Sequence, residues 1–237
     1  MLPRILEPEV MDTVAEAVDY NSMDHSHVNR VFVDDLLTAL SQVSQPPDAT
    51  WQVFDAGTGT ALIPLELMSR GVKALVTAGD LAEQMLIVAR DNVRAAGQSD
   101  AIRLVLTDCK QLSDADATYH AVMSNSIVHH ISQPREVLAE LWRVLQPGGL
   151  LFVRDLMRPV NQATLDHLVQ TYAGDANAHQ RQMFRDSLHA ALTVSEVSGL
   201  LEQVGIPREA VRATSDRHWT VIARKASGKE VLSKIEA

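Results

Sequence analysis

The chain has one cysteine, Cys109, in 237 residues. That excludes an internal disulfide and any multi-thiolate zinc site, and it suits a reducing compartment. Long apolar runs are also missing. Stretches such as Leu150 to Val153 are strand-sized, far short of the roughly 20 residues that a membrane-crossing helix needs. The first ten residues, MLPRILEPEV, carry two prolines and three charges where a secretory leader needs an unbroken apolar core. Excess positive charge is lacking as well. With a formal net charge of -9, nucleic acid and anionic membranes meet no general attraction, so neither is expected as a partner. A soluble, cytoplasmic protein is the expectation from these absences. No repeat or low-complexity tract is present, and the histidines His25, His27 and His179 show no tight ligand spacing with acids, so no metal is expected.

What is present is a hydrophobic content of 46%, enough for one well-buried core. From Trp51 onward, short apolar runs alternate with segments of helical period, the pattern of a parallel sheet covered by helices. WQVFDA (51–56), KALVTAG (73–79), AIRLVLT (101–107), YHAVMSN (119–125) and GLLFVRDL (149–156) read as strands. Between them, Ala61 to Arg70 reads as a helix with Pro64 in its first turn, and Leu81 to Ala96 repeats apolar residues at intervals of three and four. Pro134 opens another helix, with Val137, Leu138, Leu141, Trp142 and Leu145 on one face, and Pro147-Gly148-Gly149 breaks it. Residues 159–190 read as polar helical material and 194–204 as a helix. VRATSD (211–216) and WTVIARK (219–225) then read as an antiparallel closing pair. Residues 1–46 read as helical, ended by Pro46-Pro47.

The main functional signal is VFDAGTGTA. A strand ends in Asp55, then Gly57, Thr58 and Gly59 permit a tight turn and close approach of backbone to a ligand, and a helix follows at once. Asp80 lies 21 positions past Gly59 at the end of the next strand, where a carboxylate can accept from both hydroxyls of a ribose. Asp108 ends the third strand. Three successive strands therefore finish in an aspartate on the ligand-binding edge of an open α/β sheet, which points to a nucleoside. Three aspartates would repel the pyrophosphate of a dinucleotide. S-adenosylmethionine has no phosphate and carries a sulfonium and an ammonium group, which carboxylates suit.

VFDAGTGTALIPLEL, TAGDLAEQMLIVARDN, LVLTDCKQL, HAVMSNSIVHHI and ELWRVLQPGGLLFVRDL together resemble the successive motifs of class I S-adenosylmethionine-dependent methyltransferases. The likeness is to the small-molecule group that includes the ubiquinone and menaquinone biosynthesis enzymes, and it covers residues 51 to about 156. It implies a Rossmann-like seven-stranded sheet, mostly parallel with an antiparallel last strand. An N-terminal helical cap or lid over 1–50 would precede the cofactor domain at 51–237, with 157–192 as a substrate-side helical insert. It also implies that Asp55, Gly57 and Gly59 line the methionine and ribose side, that Asp80 holds the ribose and Leu81 packs on the adenine. Asp108, with the Cys109 backbone beside it, would meet the adenine amino group, and Asn125 would sit near the ammonium group. Ala61 departs from the pattern by standing where a glycine is frequent.

Methyl transfer needs an acceptor aligned with an already activated methyl group, and a base only where the acceptor must lose a proton. His129 and His130 are the candidate bases. In a helical turn over 127–131 adjacent side chains diverge by about 100°, so at most one serves. Ile127, Val128 and Ile131 would share the apolar side, leaving His129 pointing most directly away and His130 on the flank. Substrate candidates are Tyr20 and His25 from YNSMDHSH (20–27), and Arg154, Arg158, Tyr172 and His179 from the segment after the fifth strand. The partner expected is thus a small-molecule methyl acceptor. Two other readings remain beside it: a nicotinamide-dependent oxidoreductase, and a non-catalytic S-adenosylmethionine-binding protein.

Overall fold

A computed structural model describes residues 2–7, 9–10, 12–46 and 48–227. Met1, Pro8, Met11, Pro47 and residues 228–237 lie outside the described residues, and with them the second proline of the Pro46-Pro47 pair and the end of the 51–237 domain.

Chain order is α1 (Val14–Ser22), α2 (Ser26–Leu40), β1 (Trp51–Ala56), α3 (Leu62–Ser69), β2 (Ala74–Asp80), α4 (Glu83–Ala95), β3 (Ile102–Leu106) and β4 (Tyr119–Asn125). It continues with α5 (Pro134–Val144), β5 (Leu145–Leu156), α6 (Gln162–Ala173), α7 (Ala178–Ala190), α8 (Val194–Gln203), β6 (Val211–Ala213) and β7 (His218–Arg224). The strands form one seven-stranded sheet in the order β3-β2-β1-β4-β5-β7-β6. β7 alone runs against its neighbours, pairing antiparallel with both β5 and β6.

Strand alternation sends Phe54, Val122, Leu151 and Val153 to one face, under the apolar stripes of α5 and α8. Val53, Val76, Met123 and Phe152 face the other way, under α2, α3 and α4. Both faces are therefore covered, as a parallel sheet requires. In α5, Pro134 stands in the first turn, where its missing N–H costs nothing, and Val137, Leu138, Leu141 and Val144 are fully buried. α6 and α7 form a smaller third cluster around Leu165, Leu168 and Leu188, over the end of β5.

Three boundaries differ from the sequence reading. Helix α2 stops at Leu40, well before the prolines, and the described residues 2–7 and 9–10 are not helical. Two prolines and three charges in ten residues give this segment no helical apolar stripe to bury. Pro147-Gly148-Gly149 lies inside β5 as an irregularity, not ahead of it: pairing with β4 jumps from Tyr119↔Leu145 to Ala121↔Leu150. Among the described residues no helix is long and apolar enough to cross a membrane.

The chain reverses direction across the sheet between β1, which pairs with β2, and β4 on its other side. Loops that leave these two strands part at this switch point and open a crevice.

Candidate functional site

Gly57 and Gly59 leave β1 with φ of +69° and +54°. At Gly57 a Cβ would lie 1.9 Å from Ile127 Cγ2, so glycine is required there both for φ and for space. The Gly57 and Thr58 amides donate to the Gly79 carbonyl at 2.9 and 3.0 Å, tying the turn to β2. Asp80 then clamps it: Oδ2 accepts from the Gly59 amide at 2.7 Å, and Oδ1 from the Ala82 amide at 2.9 Å, ahead of α4. Ala61 adopts φ +62°, the left-handed conformation that the more usual glycine takes freely.

The crevice beside this turn is lined by Gly57, Gly59, Asp80, Leu81, Asp108, Cys109 and Asn125, seven of the nine residues assigned to a cofactor. Asp55 and Thr58, the other two, are buried beneath the turn at 2% and 8% exposure. Asp55 Oδ2, Thr58 Oγ1 and Asn125 Oδ1 are buried and make no well-aligned hydrogen bond among the described residues, although the Thr58 hydroxyl lies close enough to Asp55 to favour its charged form. Buried polar atoms are rarely left so, and these three leave hydrogen-bonding capacity around one turn. Burial pushes the Asp55 carboxyl up to about 7, opposed by the Thr58 hydroxyl and helped by the Asp80 charge. Asp80 is also raised by burial, despite its backbone hydrogen bonds. A cationic ligand would relieve both. Burial and then Asp80 push the Cys109 thiol up to about 12, which leaves it un-ionised and no nucleophile.

The paired histidines do not diverge. Val128–His130 is a single 3-10 turn, the two imidazole centroids are 4.1 Å apart, and both rings approach one carboxylate, Glu7. Nor does His129 point away from the core. It is 3% exposed, with Nδ1 2.5 Å from Asp155 Oδ1 and its amide donating to Asp155 Oδ2 at 3.1 Å. A buried acid at the end of β5 draws the ring inward. Burial opposes the His129 imidazolium, but the Asp155 and then the Glu7 charge prevail and raise its pKa. His130 reaches the crevice wall, and His129 stands behind it.

The substrate candidates divide. Tyr20 lines the crevice, and His25 stacks behind it at 4.5 Å while bonding the Tyr20 carbonyl. Arg154, Arg158, Tyr172 and His179 are not brought to the crevice. Arg154 is buried, donating to Thr220 and Asp35 and so joining β5 to α2. Arg158 pairs with Glu196 on α8. Tyr172 donates to Asp216 under the Arg217 guanidinium, and His179 is exposed on α7. Their segment follows β5 at the crevice end of the sheet, but each charge finds a partner on a neighbouring element first.

What reaches the crevice instead is the extended N-terminal segment, to which the sequence reading assigned no site residue. Glu9 and Val10 line it, and Lys110 pairs with both Glu9 and Asp108. Arg4 donates to the carbonyls of His129 and Ile131 at 3.1 and 2.9 Å, fastening the segment beside the histidine turn. Nothing in the residue pattern of MLPRILEPEV signals these contacts, because they are isolated side chains on a strap without periodicity.

Sheet order, switch-point crevice and glycine turn define a Rossmann-like α/β protein with the class I methyltransferase fold. Residues 54–153 match the family model described as "Methyltransferase domain". The ubiquinone/menaquinone biosynthesis C-methyltransferase of Roseobacter denitrificans is 30% identical over 145 residues, 56% of this chain and 58% of that protein. A malonyl-[acyl-carrier protein] O-methyltransferase of Laribacter hongkongensis is 34% identical over 161 residues, 65% of this chain and 52% of the relative. The chain thus spans about half the length of these curated relatives. A solved SAM-dependent methyltransferase of Aquifex aeolicus superposes with a TM-score of 0.62 at 19% identity, over 90% of this chain and 98% of the other. Residues 54–153 are therefore similar to a methyltransferase domain, on a fold shared with solved SAM-dependent methyltransferases.

Proposed function

We propose that the crevice binds S-adenosylmethionine and that the protein transfers its methyl group to a small-molecule acceptor. The observation that carries this reading is the set of buried, unpartnered polar atoms around the glycine turn, Asp55 Oδ2 and Asn125 Oδ1 above all. They are acceptors, and they lie among carboxylates, which suits a ligand with cationic centres and no phosphate. A nicotinamide dinucleotide would bring two phosphates to Asp55 and Asp80.

When bound, the cofactor supplies an activated methyl group. The chain's own part is then to hold, align and keep dry. Each Asp80 oxygen has a lone pair left beyond its backbone bond, available to a ribose hydroxyl. Leu81, 40% exposed on the crevice wall, offers an apolar surface to a base. Asp108 and the Cys109 backbone stand where an adenine amino group would donate. At the acceptor end, His130 lines the crevice and His129 does not, so a departing acceptor proton falls to His130. Arg4 and Glu7 of the N-terminal strap lie at this end, and Tyr20 stands over Gly59 on the Asp80 side; together they give the 1–50 segment the lid role, while the 157–192 helices buttress β5 from further away. A cytoplasmic location belongs to the same reading.

By their names, one relative is a C-methyltransferase of ubiquinone/menaquinone biosynthesis and the other an O-methyltransferase of malonyl-[acyl-carrier protein]. Two such different acceptors leave the acceptor of this chain to experiment. Incubation with methyl-labelled cofactor and fractionated metabolite pools tests the reading: label should enter a small molecule in a protein-dependent way. Cofactor binding without transfer to any fraction would favour the non-catalytic binding protein.

A further inference from the structure

Among the described residues, Glu7, His129 and His130 bring three metal-competent donor atoms within 4.8 Å of one another, a grouping that none of the remote histidines achieves. We propose that these three side chains form a site for one divalent cation of the zinc or cobalt class, at the acceptor end of the crevice.

Both distances to the Glu7 oxygen are those of a coordination sphere. Glu7 Oε1 is 3.4 Å from His129 Nε2 and 3.2 Å from His130 Nδ1. Bonds of about 2.0–2.1 Å in tetrahedral geometry set donor-to-donor edges at about 3.3–3.5 Å. Glu7 Oε1 is buried and accepts no hydrogen bond among the described residues, so its lone pairs are open to a ligand.

The supporting residues fit as well. Nδ1 of His129 is committed to Asp155 Oδ1, whose other oxygen takes the His129 amide. That contact places the ring proton on Nδ1 and leaves the Nε2 lone pair toward Glu7, the carboxylate–histidine–metal arrangement that orients a ligand and strengthens it. Two carboxylates, Glu7 and Asp155, outweigh the one nearby guanidinium, Arg4. Two imidazole nitrogens and one carboxylate select borderline transition ions over magnesium or calcium, which prefer all-oxygen shells. Three protein donors leave a fourth position for water or an acceptor oxygen, and His130 puts that position beside the crevice. The ion would also pin the strap that carries Glu7 to the histidine turn, and a loaded site would take over from His130 the task of easing an acceptor proton off.

Cobalt titration of the untagged full-length protein tests this through the visible d–d band of four-coordinate cobalt. One equivalent should give a saturating band that zinc abolishes. Glu7→Gln should weaken cobalt binding at least tenfold, and Asp155→Asn by about 10- to 100-fold through loss of the orienting carboxylate. His27→Ala, at an exposed histidine on α2, should leave the band unchanged. Because Asp155 is buried and its variant can fail to fold, Glu7→Gln is the deciding substitution, with its thermal melt recorded alongside. S-adenosylhomocysteine binding should survive in Glu7→Gln, which separates this proposal from the cofactor reading. Absence of the band at one equivalent, or equal cobalt affinity in Glu7→Gln and the unmodified protein, would overturn it.

Discussion

Cofactor affinity should depend on pH through Asp55. Burial holds this carboxyl at about 7 in the free protein. A ligand ammonium or sulfonium group requires the carboxylate, so binding below that value must first expel a proton. Affinity then falls about tenfold for each pH unit below 7, a free-energy cost of about 1.4 kcal/mol per unit. Between pH 8 and pH 5 the loss is about a hundredfold, or about 2.7 kcal/mol. Calorimetric titration with S-adenosylhomocysteine in buffers of differing ionisation enthalpy should show release of close to one proton at pH 6 and almost none at pH 8. Asp55→Asn should bind more weakly at pH 8 and lose this dependence. The same carboxyl acts on folding with a definite sign. Its folded pKa lies above the unfolded one, so its stabilising contribution is complete below about pH 4 and is lost as the pH rises through 7. The ligand-free melting temperature of the unmodified protein should therefore drop relative to that of Asp55→Asn between pH 5 and pH 8. Affinity that is flat over this range, with no proton released, would refute the assignment of Asp55 to the cationic part of the ligand.

Other perturbations follow from the same geometry. Gly57→Ala should destabilise the protein by about 2 kcal/mol or more, combining a left-handed alanine with overlap on Ile127; an unchanged urea midpoint would contradict the geometry of the turn. Ala61→Gly relaxes a left-handed residue and should stabilise by about 0.5–1 kcal/mol after the loss of chain entropy, read from the same urea curves, where a lower midpoint would count against it. In Asp80→Asn the amide NH2 must face either the Gly59 or the Ala82 N–H, a donor against a donor. S-adenosylhomocysteine should then bind less tightly by about 1.5–3 kcal/mol, and an affinity equal to that of the unmodified protein would remove Asp80 from the site.

The parts of this site that sequence shows are those set by backbone and period. Strand ends at Asp55 and Asp80 fall where alternation places them, and glycines at 57 and 59 announce a turn that only they can make. The histidine turn illustrates the limit. Counting residues around a helix put His129 outward, but a 3-10 turn closed over a buried acid 26 positions away rotated it inward. Asp155 sits in a strand whose neighbours Arg154 and Leu156 are just as buried, so no pattern marks it as the partner. The arginines at the end of β5 and just beyond it failed for the opposite reason. Their charge suggested an anion site, whereas Asp35 and Glu196, distant in sequence, neutralise them. Glu7 and Glu9 belong to a strap without secondary structure, and only the fold brings it to the crevice.

The central claim is that the crevice is built for an adenosyl ligand with cationic centres and no phosphate. Parallel calorimetric titrations of the full-length protein with S-adenosylmethionine, S-adenosylhomocysteine and NAD at pH 8 test it most directly. The account expects one site for each adenosyl ligand, weakened by Asp80→Asn, and no heat from NAD. Saturable NAD binding with neither adenosyl ligand bound would contradict it.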